Sequence, residues 1–159
     1  MFLVRRVFVL LFTSCVALGA SAQTEGGGAA ALGDPSGRRL VATVITRDDR
    51  GRVLCAIWRG AEGYPTERTR AVARTIDRTI VRQRAVCTFD DVTPGEYAIA
   101  VFHDENDNND LDRNILGIPS EGTGASNDAS NPFGPPGYDD ARFVFPDTAV
   151  YRITVNIHY

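Results

Sequence analysis

Apolar and polar residues alternate along most of this chain, with the two-residue period typical of β-strands that bury one face. The C-terminal segment 151–159 is the clearest case, because every second residue is apolar or aromatic. Segments 40–46 and 53–58 are rich in β-branched residues and flank the turn residues 48–51, which predicts a β-hairpin. The pattern therefore predicts a fold made mainly of strands.

Three further segments, 82–89, 97–102 and 142–145, also have strand character. Segment 97–102 is continuously apolar, which predicts a central strand covered on both faces. Segment 66–79 departs from the period, follows Pro65 and begins with a possible N-cap threonine, which predicts a short helix. Together these elements predict an all-β fold, an antiparallel β-sandwich with one short helix.

Residues 113–141 form a long connection whose many glycines and prolines predict irregular structure. Loops of this length in compact domains are usually functional or disordered. The apolar residues within it predict an ordered loop that packs over one end of the sandwich. These residues are Ile115, Leu116, Ile118, Phe133 and Tyr138.

Residues 1–22 have the parts of a secretory signal peptide: two arginines, an apolar stretch and the small residues Ala20-Ser21-Ala22, which predict cleavage after Ala22. The apolar stretch is shorter than the roughly 20 residues of a transmembrane helix. A lipoprotein signal ending at Cys15 is a less favoured alternative. Residues 23–37 are a low-complexity linker, so a single folded domain spans 38–159. We therefore expect a periplasmic or secreted protein that does not span the membrane.

Two cysteines, Cys55 and Cys87, remain after this cleavage, and an exported protein meets an oxidising compartment. Each lies between apolar residues on the same face of its strand, so both sulfur atoms can enter one core. We therefore predict a structural disulfide. A redox or metal-binding pair would have closer spacing.

The chain has 17 basic and 20 acidic residues, and cleavage would remove two arginines and make the net charge more negative. An acidic chain argues against a nucleic-acid partner. Arginines are concentrated in segment 59–84, whereas segment 90–112 carries acidic residues and no arginine. The frequency of charge runs on protein surfaces favours a solvated arginine face over a binding patch.

Oxygen-bearing side chains occupy every second position of segment 104–112. They belong to Asp104, Asn106, Asn108, Asp110 and Asp112. Calcium takes about six to eight oxygen ligands, which a short loop with carboxylates and amides at alternate positions can provide. In an EF-hand calcium loop these residues would match ligand positions one, three, five, seven and nine, with Asp110 binding through its backbone carbonyl group.

Two positions depart from that motif. Asn109 replaces the glycine of the sharp turn, although asparagine tolerates left-handed backbone geometry. Ile115 replaces the bidentate glutamate, so a remote carboxylate, with Glu121 as the first candidate, or water would complete the shell. We expect a calcium site with a Kd on the order of 10⁻⁴ to 10⁻³ M. The alternative is a turn that Asp and Asn side chains hold without metal.

Several strings of this sequence closely resemble an exported bacterial family, the domain of unknown function numbered 2141. They are Pro94-Gly95-Glu96-Tyr97-Ala98-Ile99-Ala100-Val101-Phe102-His103-Asp104-Glu105-Asn106, Leu116-Gly117-Ile118-Pro119-Ser120-Glu121-Gly122, Ser126-Asn127 and Phe133-Gly134-Pro135-Pro136. The resemblance covers residues 40–159 and implies a secreted transthyretin-like or immunoglobulin-like sandwich with no established activity. Members of the family usually read Asp-Glu-Asn-Gly-Asn-Gly in the loop, where this chain has Asp107 and Asn109 in place of the glycines.

The sequence contains no recognisable catalytic constellation. His103 and Asp104 are adjacent in a predicted strand and therefore point to opposite faces. A nucleophile elbow and a three-histidine metal site are both absent from the sequence. We expect a non-catalytic binding or accessory module with a calcium loop and an unknown protein or envelope partner. The alternative is a small periplasmic hydrolase that uses residues 113–141 as a lid.

Overall fold

The computed structural model describes residues 37–159, so the predicted signal peptide, Cys15 and nearly all of the predicted linker lie outside the described residues. The strands are β1 Arg39–Ile45, β2 Arg52–Trp58, β3 Ala73–Asp77, β4 Arg84–Asp90, β5 Gly95–Asp104, β6 Gly122–Ala125, β7 Phe143–Phe145 and β8 Val150–Asn156. The helical elements are two short 3₁₀ turns, Arg68–Arg70 and Ser126–Asp128, and the one-turn helix α1, Tyr138–Ala141.

Two sheets form the sandwich, which confirms the predicted fold class. The first sheet has the order β4-β1-β8, and the second has the order β3-β2-β5-β6, with β7 paired to the start of β5. Pairing in the second sheet is antiparallel throughout. The first sheet is mixed rather than purely antiparallel, because β8 runs parallel to β1.

The predicted hairpin of segments 40–46 and 53–58 is wrong. β1 and β2 lie in different sheets, so the turn between them carries the chain across the sandwich. Gly51 in this turn has a φ of +63°, and a Cβ atom there would overlap the backbone carbonyl group of Asp104. Glycine is required at position 51 because the backbone of this turn lies against the backbone of Asp104, and not because the turn closes a hairpin.

The helix predicted over segment 66–79 is also wrong. The structure has the 3₁₀ turn Arg68–Arg70 followed by β3, which pairs antiparallel with β2. The β-branched residues Thr75 and Ile76 suit this pairing, and the backbone hydrogen bonds of β2 override the local helical signal. The C-terminal alternation is confirmed, since Val155 and Ile157 are buried.

Apolar side chains from both sheets fill the space between them. The fully buried ones include Leu40, Val44, Val53, Ile57, Ala85, Tyr97, Ile99, Phe145 and Val155. The predicted disulfide between Cys55 on β2 and Cys87 on β4 is confirmed, with a Cα–Cα distance of 6.3 Å. It joins one sheet to the other inside this core.

The long connection 113–141 contains more regular structure than its composition predicts, because β6 pairs with β5. Buried Ser126 links the connection to the sandwich: its Oγ accepts the N–H of Ile99 at 3.0 Å and donates to the carbonyl oxygen of Ala141 at 2.5 Å. Gly124 allows the close approach of β6 to β8, since a Cβ there would lie 2.4 Å from the carbonyl oxygen of Asn156.

The expected apolar anchors of this connection are mostly wrong. Tyr138 is partly buried and packs edge-on against Tyr64, but the other four side chains are exposed. These exposed residues are Ile115, Leu116, Ile118 and Phe133. Asn114 explains the difference, because its Oδ1 accepts the N–H groups of Leu116 and Ile118. Local hydrogen bonds hold this turn in place of apolar burial.

Candidate metal-binding loop

Asp104 is the last residue of β5 and the first of the predicted ligands, and it is fully buried. It lies opposite Arg52, the first residue of β2. The Nε atom of Arg52 is 3.0 Å from Asp104 Oδ2 and 2.8 Å from Asp107 Oδ1. These contacts are ion pairs without the alignment of a hydrogen bond. The buried guanidinium thus offsets part of the cost of burying the carboxylate.

The carboxylate of Asp104 also organises the backbone that follows it. Oδ1 accepts the N–H of Asn108 at 3.0 Å, and Oδ2 accepts the N–H of Asn109 at 2.8 Å. Hydrogen bonds to an ionised group are stronger than those between neutral groups. The buried carboxylate of Asp104 therefore fixes the path of the loop backbone around it.

Three of the predicted ligands converge on one another. Asn106 Nδ2 donates to Asp112 Oδ2 at 2.6 Å, and Asn108 Nδ2 donates to Asp112 Oδ1 at 3.1 Å. The amide oxygens of both asparagines accept backbone N–H groups two residues ahead. Asp110 is outside this convergence: its side chain is exposed and accepts the N–H of Leu111.

Glu121, the first candidate for completing the shell, lies against the loop and is 7% exposed. Its Oε1 accepts the N–H of Glu105 at 2.9 Å, and its Oε2 accepts the N–H of Asp112 at 3.2 Å. One carboxylate therefore joins the beginning of the loop to its end. The sequence missed Arg52, whose only signal was a charged residue at the start of an otherwise apolar strand.

His103 lies beside the loop but on the other face of β5, as predicted from its position next to Asp104. It is fully buried, with Nε2 at 2.6 Å from the carbonyl oxygen of Arg50 and Nδ1 at 2.7 Å from the Tyr159 hydroxyl group. A carbonyl oxygen can only accept, so Nε2 carries a proton. Burial raises the pKa of the Tyr159 hydroxyl group above its ordinary value. This histidine fixes the C-terminal residue against β5.

Exposed ion pairs surround the outer side of this region. Glu105 Oε2 is 2.6 Å from Arg47 Nη2 and 3.1 Å from Arg50 Nη2. Side-chain and backbone hydrogen bonds from Arg50 lower the pKa of Asp48 to about 2. These charges are paired with one another, so they leave the interior of the loop to Asp104, Asp112 and Glu121.

Most of the described domain matches a known family. The matching family model is described as an uncharacterized protein conserved in bacteria (DUF2141), and it covers residues 43–153, which is more than half of the chain. The chain belongs to this family. Neither a curated protein nor a solved structure matches it.

The part matched by DUF2141 contains the whole loop, Glu121 and both cysteines. Asp107 and Asn109 stand where members of the resembling family usually have glycine. Their φ values are +64° and +67°. Only glycine adopts this conformation without a steric cost, although Asp and Asn tolerate it best among the others. The left-handed backbone at these two positions thus explains why glycine is usual there and why Asp and Asn can replace it.

The donor set of the loop is mixed. Within residues 37–159, no group of three or more His, Cys, Asp and Glu side chains is arranged so that it could hold a metal ion. The convergence instead joins one carboxylate, Asp112, to two amides, while Asp104 and Glu121 contact backbone N–H groups. Over the same residues, the helices are too short to cross a membrane.

Proposed function

We propose that this DUF2141 protein is an exported, non-catalytic binding or accessory module whose Asp/Asn loop binds calcium weakly. The observation that carries the proposal is the convergence of Asn106 and Asn108 on Asp112, in a loop whose two ends Glu121 joins. Carboxylate and amide oxygens are the ligands that calcium takes in proteins. The disulfide is consistent with export, because such bonds persist in oxidising compartments.

Two partly positive N–H donors face the Asp112 carboxylate from different sides, which is the electrostatic setting that a cation would occupy. A calcium ion would replace these donors. Each amide oxygen accepts one backbone N–H and keeps a second lone pair for the ion. The ion would stabilise the folded loop, because it would offset the repulsion between Asp112 and its neighbouring carboxylates.

The test is thermal unfolding of the mature protein in millimolar calcium and in chelator, with magnesium for comparison. For a Kd of about 10⁻⁴ M, millimolar calcium adds about 1.4 kcal/mol to the free energy of unfolding, which is a rise of a few degrees in Tm. Asp112→Asn should abolish the rise. Asp110→Asn, which removes the same charge from an exposed side chain of the same loop, should preserve it.

Two results would contradict the calcium site. One is an identical melting curve in calcium and in chelator, which would leave a turn that its own side chains hold. The other is an equal loss of the calcium effect in both variants, which would indicate nonspecific attraction to an acidic loop.

A further inference from the structure

Four arginines lie on β3, on β4 and on the connection between them, which carries the chain from one sheet to the other at one edge of the sandwich. We call this surface the arginine edge; it comprises Arg74, Arg78, Arg82 and Arg84. All four side chains are exposed, and within residues 37–159 their guanidinium groups have no hydrogen-bond or ion-pair partner. Several other exposed arginines are paired with carboxylates, as in the contacts Arg39–Asp90, Arg70–Glu62 and Arg142–Glu96. The positive charge of the edge is therefore available to a partner.

Two carboxylates at the arginine edge bond to its backbone N–H groups rather than to its guanidinium groups. Asp77 accepts the N–H groups of Thr79 at 2.8 Å and Val86 at 2.5 Å. Asp49 accepts the N–H groups of Arg82 at 3.1 Å and Gln83 at 2.6 Å. These carboxylates fix the shape of the edge.

The turn that leads into β4, which we call the tip, has an unusual conformation for its sequence. Val81 and Arg84 exchange two backbone hydrogen bonds, and the residues between them, Arg82 and Gln83, have φ values of +52° and +62°. Two-residue turns of this type normally use Asn and Gly. Because the Asp49 carboxylate holds both N–H groups of this turn, the tip presents Val81 and Arg82 in a preorganised arrangement.

Exposed aliphatic side chains alternate with the arginines. Val81 is 57% exposed at the tip, Val86 is 50% exposed on β4 and Ile76 is 39% exposed on β3. Segment 74–86 contains no aromatic residue on which a base could stack, as proteins that bind single-stranded nucleic acids require. Arginine with aliphatic side chains is the combination that suits phosphate headgroups above an apolar layer.

We infer that the arginine edge docks on the surface of a lipid bilayer that contains anionic phospholipids. The guanidinium groups of Arg78 and Arg82 contact the phosphates, and Val81 enters the interface between headgroups and acyl chains. The chain as a whole is acidic, so the clustered positive charge of this edge is what attracts the protein to an anionic surface, and it sets the orientation of the bound protein. This inference is independent of the calcium proposal.

Vesicle binding tests the inference. The mature protein should bind vesicles of phosphatidylcholine mixed with phosphatidylglycerol, should not bind pure phosphatidylcholine, and should dissociate as salt is raised. Arg78→Gln combined with Arg82→Gln should weaken binding about 25-fold, at about fivefold for each arginine near the surface. Arg113→Gln combined with Arg152→Gln changes the net charge equally at other places and should leave binding within about twofold.

Three outcomes would overturn the inference. The first is no binding of the wild-type protein to anionic vesicles at low salt, and the second is an equal loss in both double variants whose melting curves remain those of the wild type. The third is that polyglutamate or a single-stranded oligonucleotide binds as tightly as the vesicles, which would make the edge a general polyanion site. Val81→Ser adds a further discrimination: it should weaken vesicle binding severalfold and leave the residual affinity for polyglutamate unchanged.

Discussion

The inner face of the sandwich and the Asp/Asn loop meet on β5, but different forces hold them. The core around Ile99 and Val101 consists of apolar side chains from both sheets, and burial of this kind is not directional. The loop has one half-buried apolar side chain, Leu111, and depends on carboxylates that accept backbone N–H groups. The core therefore distributes its stability over many side chains, whereas the loop concentrates it in Asp104 and Glu121.

The apolar core gives way to the hydrogen-bonded loop between two adjacent residues of β5. His103 lies on the inner face of β5 and contacts Arg50 and Tyr159, whereas Asp104 lies on the opposite face and pairs with Arg52. Both are fully buried, so each polar group needs its partner. Substitutions at Asp104 and its neighbours test which of these contacts stabilise the loop.

The largest expected effect comes from Asp104→Ala. This substitution removes the fully buried carboxylate that faces the Arg52 guanidinium and the acceptor of the Asn109 N–H, so the free energy of unfolding should fall by about 3–5 kcal/mol. Asp107→Asn removes the other negative charge near Arg52 and keeps a residue type that tolerates the left-handed backbone of this position. The side chain is 61% exposed, so the loss should be about 1 kcal/mol or less. Urea denaturation in chelator measures both. Equal losses would mean that Arg52, rather than Asp104, organises the loop.

A slightly smaller effect is expected on the core side. Replacing both Cys55 and Cys87 by alanine removes a crosslink between residues 32 positions apart. The chain-entropy model predicts a loss of about 3–4 kcal/mol in the free energy of unfolding. The same denaturation experiment on reduced wild-type protein provides the control. If the crosslink contributes less than about 1 kcal/mol, apolar burial alone accounts for the joining of the two sheets.

The parts of the fold that could be predicted are those in which a residue's local pattern matches its final environment. Cys55 and Cys87 lie among alternating apolar residues, and both face the core as predicted. The convergence of Asn106 with Asp112 likewise follows from the spacing within one loop.

The failures concern partners that are distant in the sequence. The local pattern does not reveal that β1 pairs with β8, which lies more than a hundred residues later. It also does not reveal that Arg52 on β2 lies opposite Asp104 on the neighbouring strand β5. The exposed Leu116 is a failure of another kind, because the hydrogen bonds of Asn114 replaced the apolar burial on which the prediction relied.

The smallest expected effect concerns the backbone of the loop and has the opposite sign. Asn109→Gly should stabilise the protein, because Asn109 has a φ of +67° and a left-handed conformation costs a non-glycine residue about 1–2 kcal/mol. Glycine also gains flexibility in the unfolded chain, which offsets about 0.5–1 kcal/mol of that benefit. The contacts of Asn109 with Asp104 and Arg68 use its backbone N–H and carbonyl groups, so glycine retains both.

We therefore expect a net gain of about 0.5 kcal/mol in the free energy of unfolding for Asn109→Gly. Asn108→Gly is the matched control, since the same exchange one residue earlier removes a side chain that bonds to Asp112 and relieves no left-handed strain. It should destabilise the protein. Urea denaturation of both variants in chelator measures the two signs. A loss of stability in both would show that the asparagine side chain, rather than the backbone geometry, stabilises position 109.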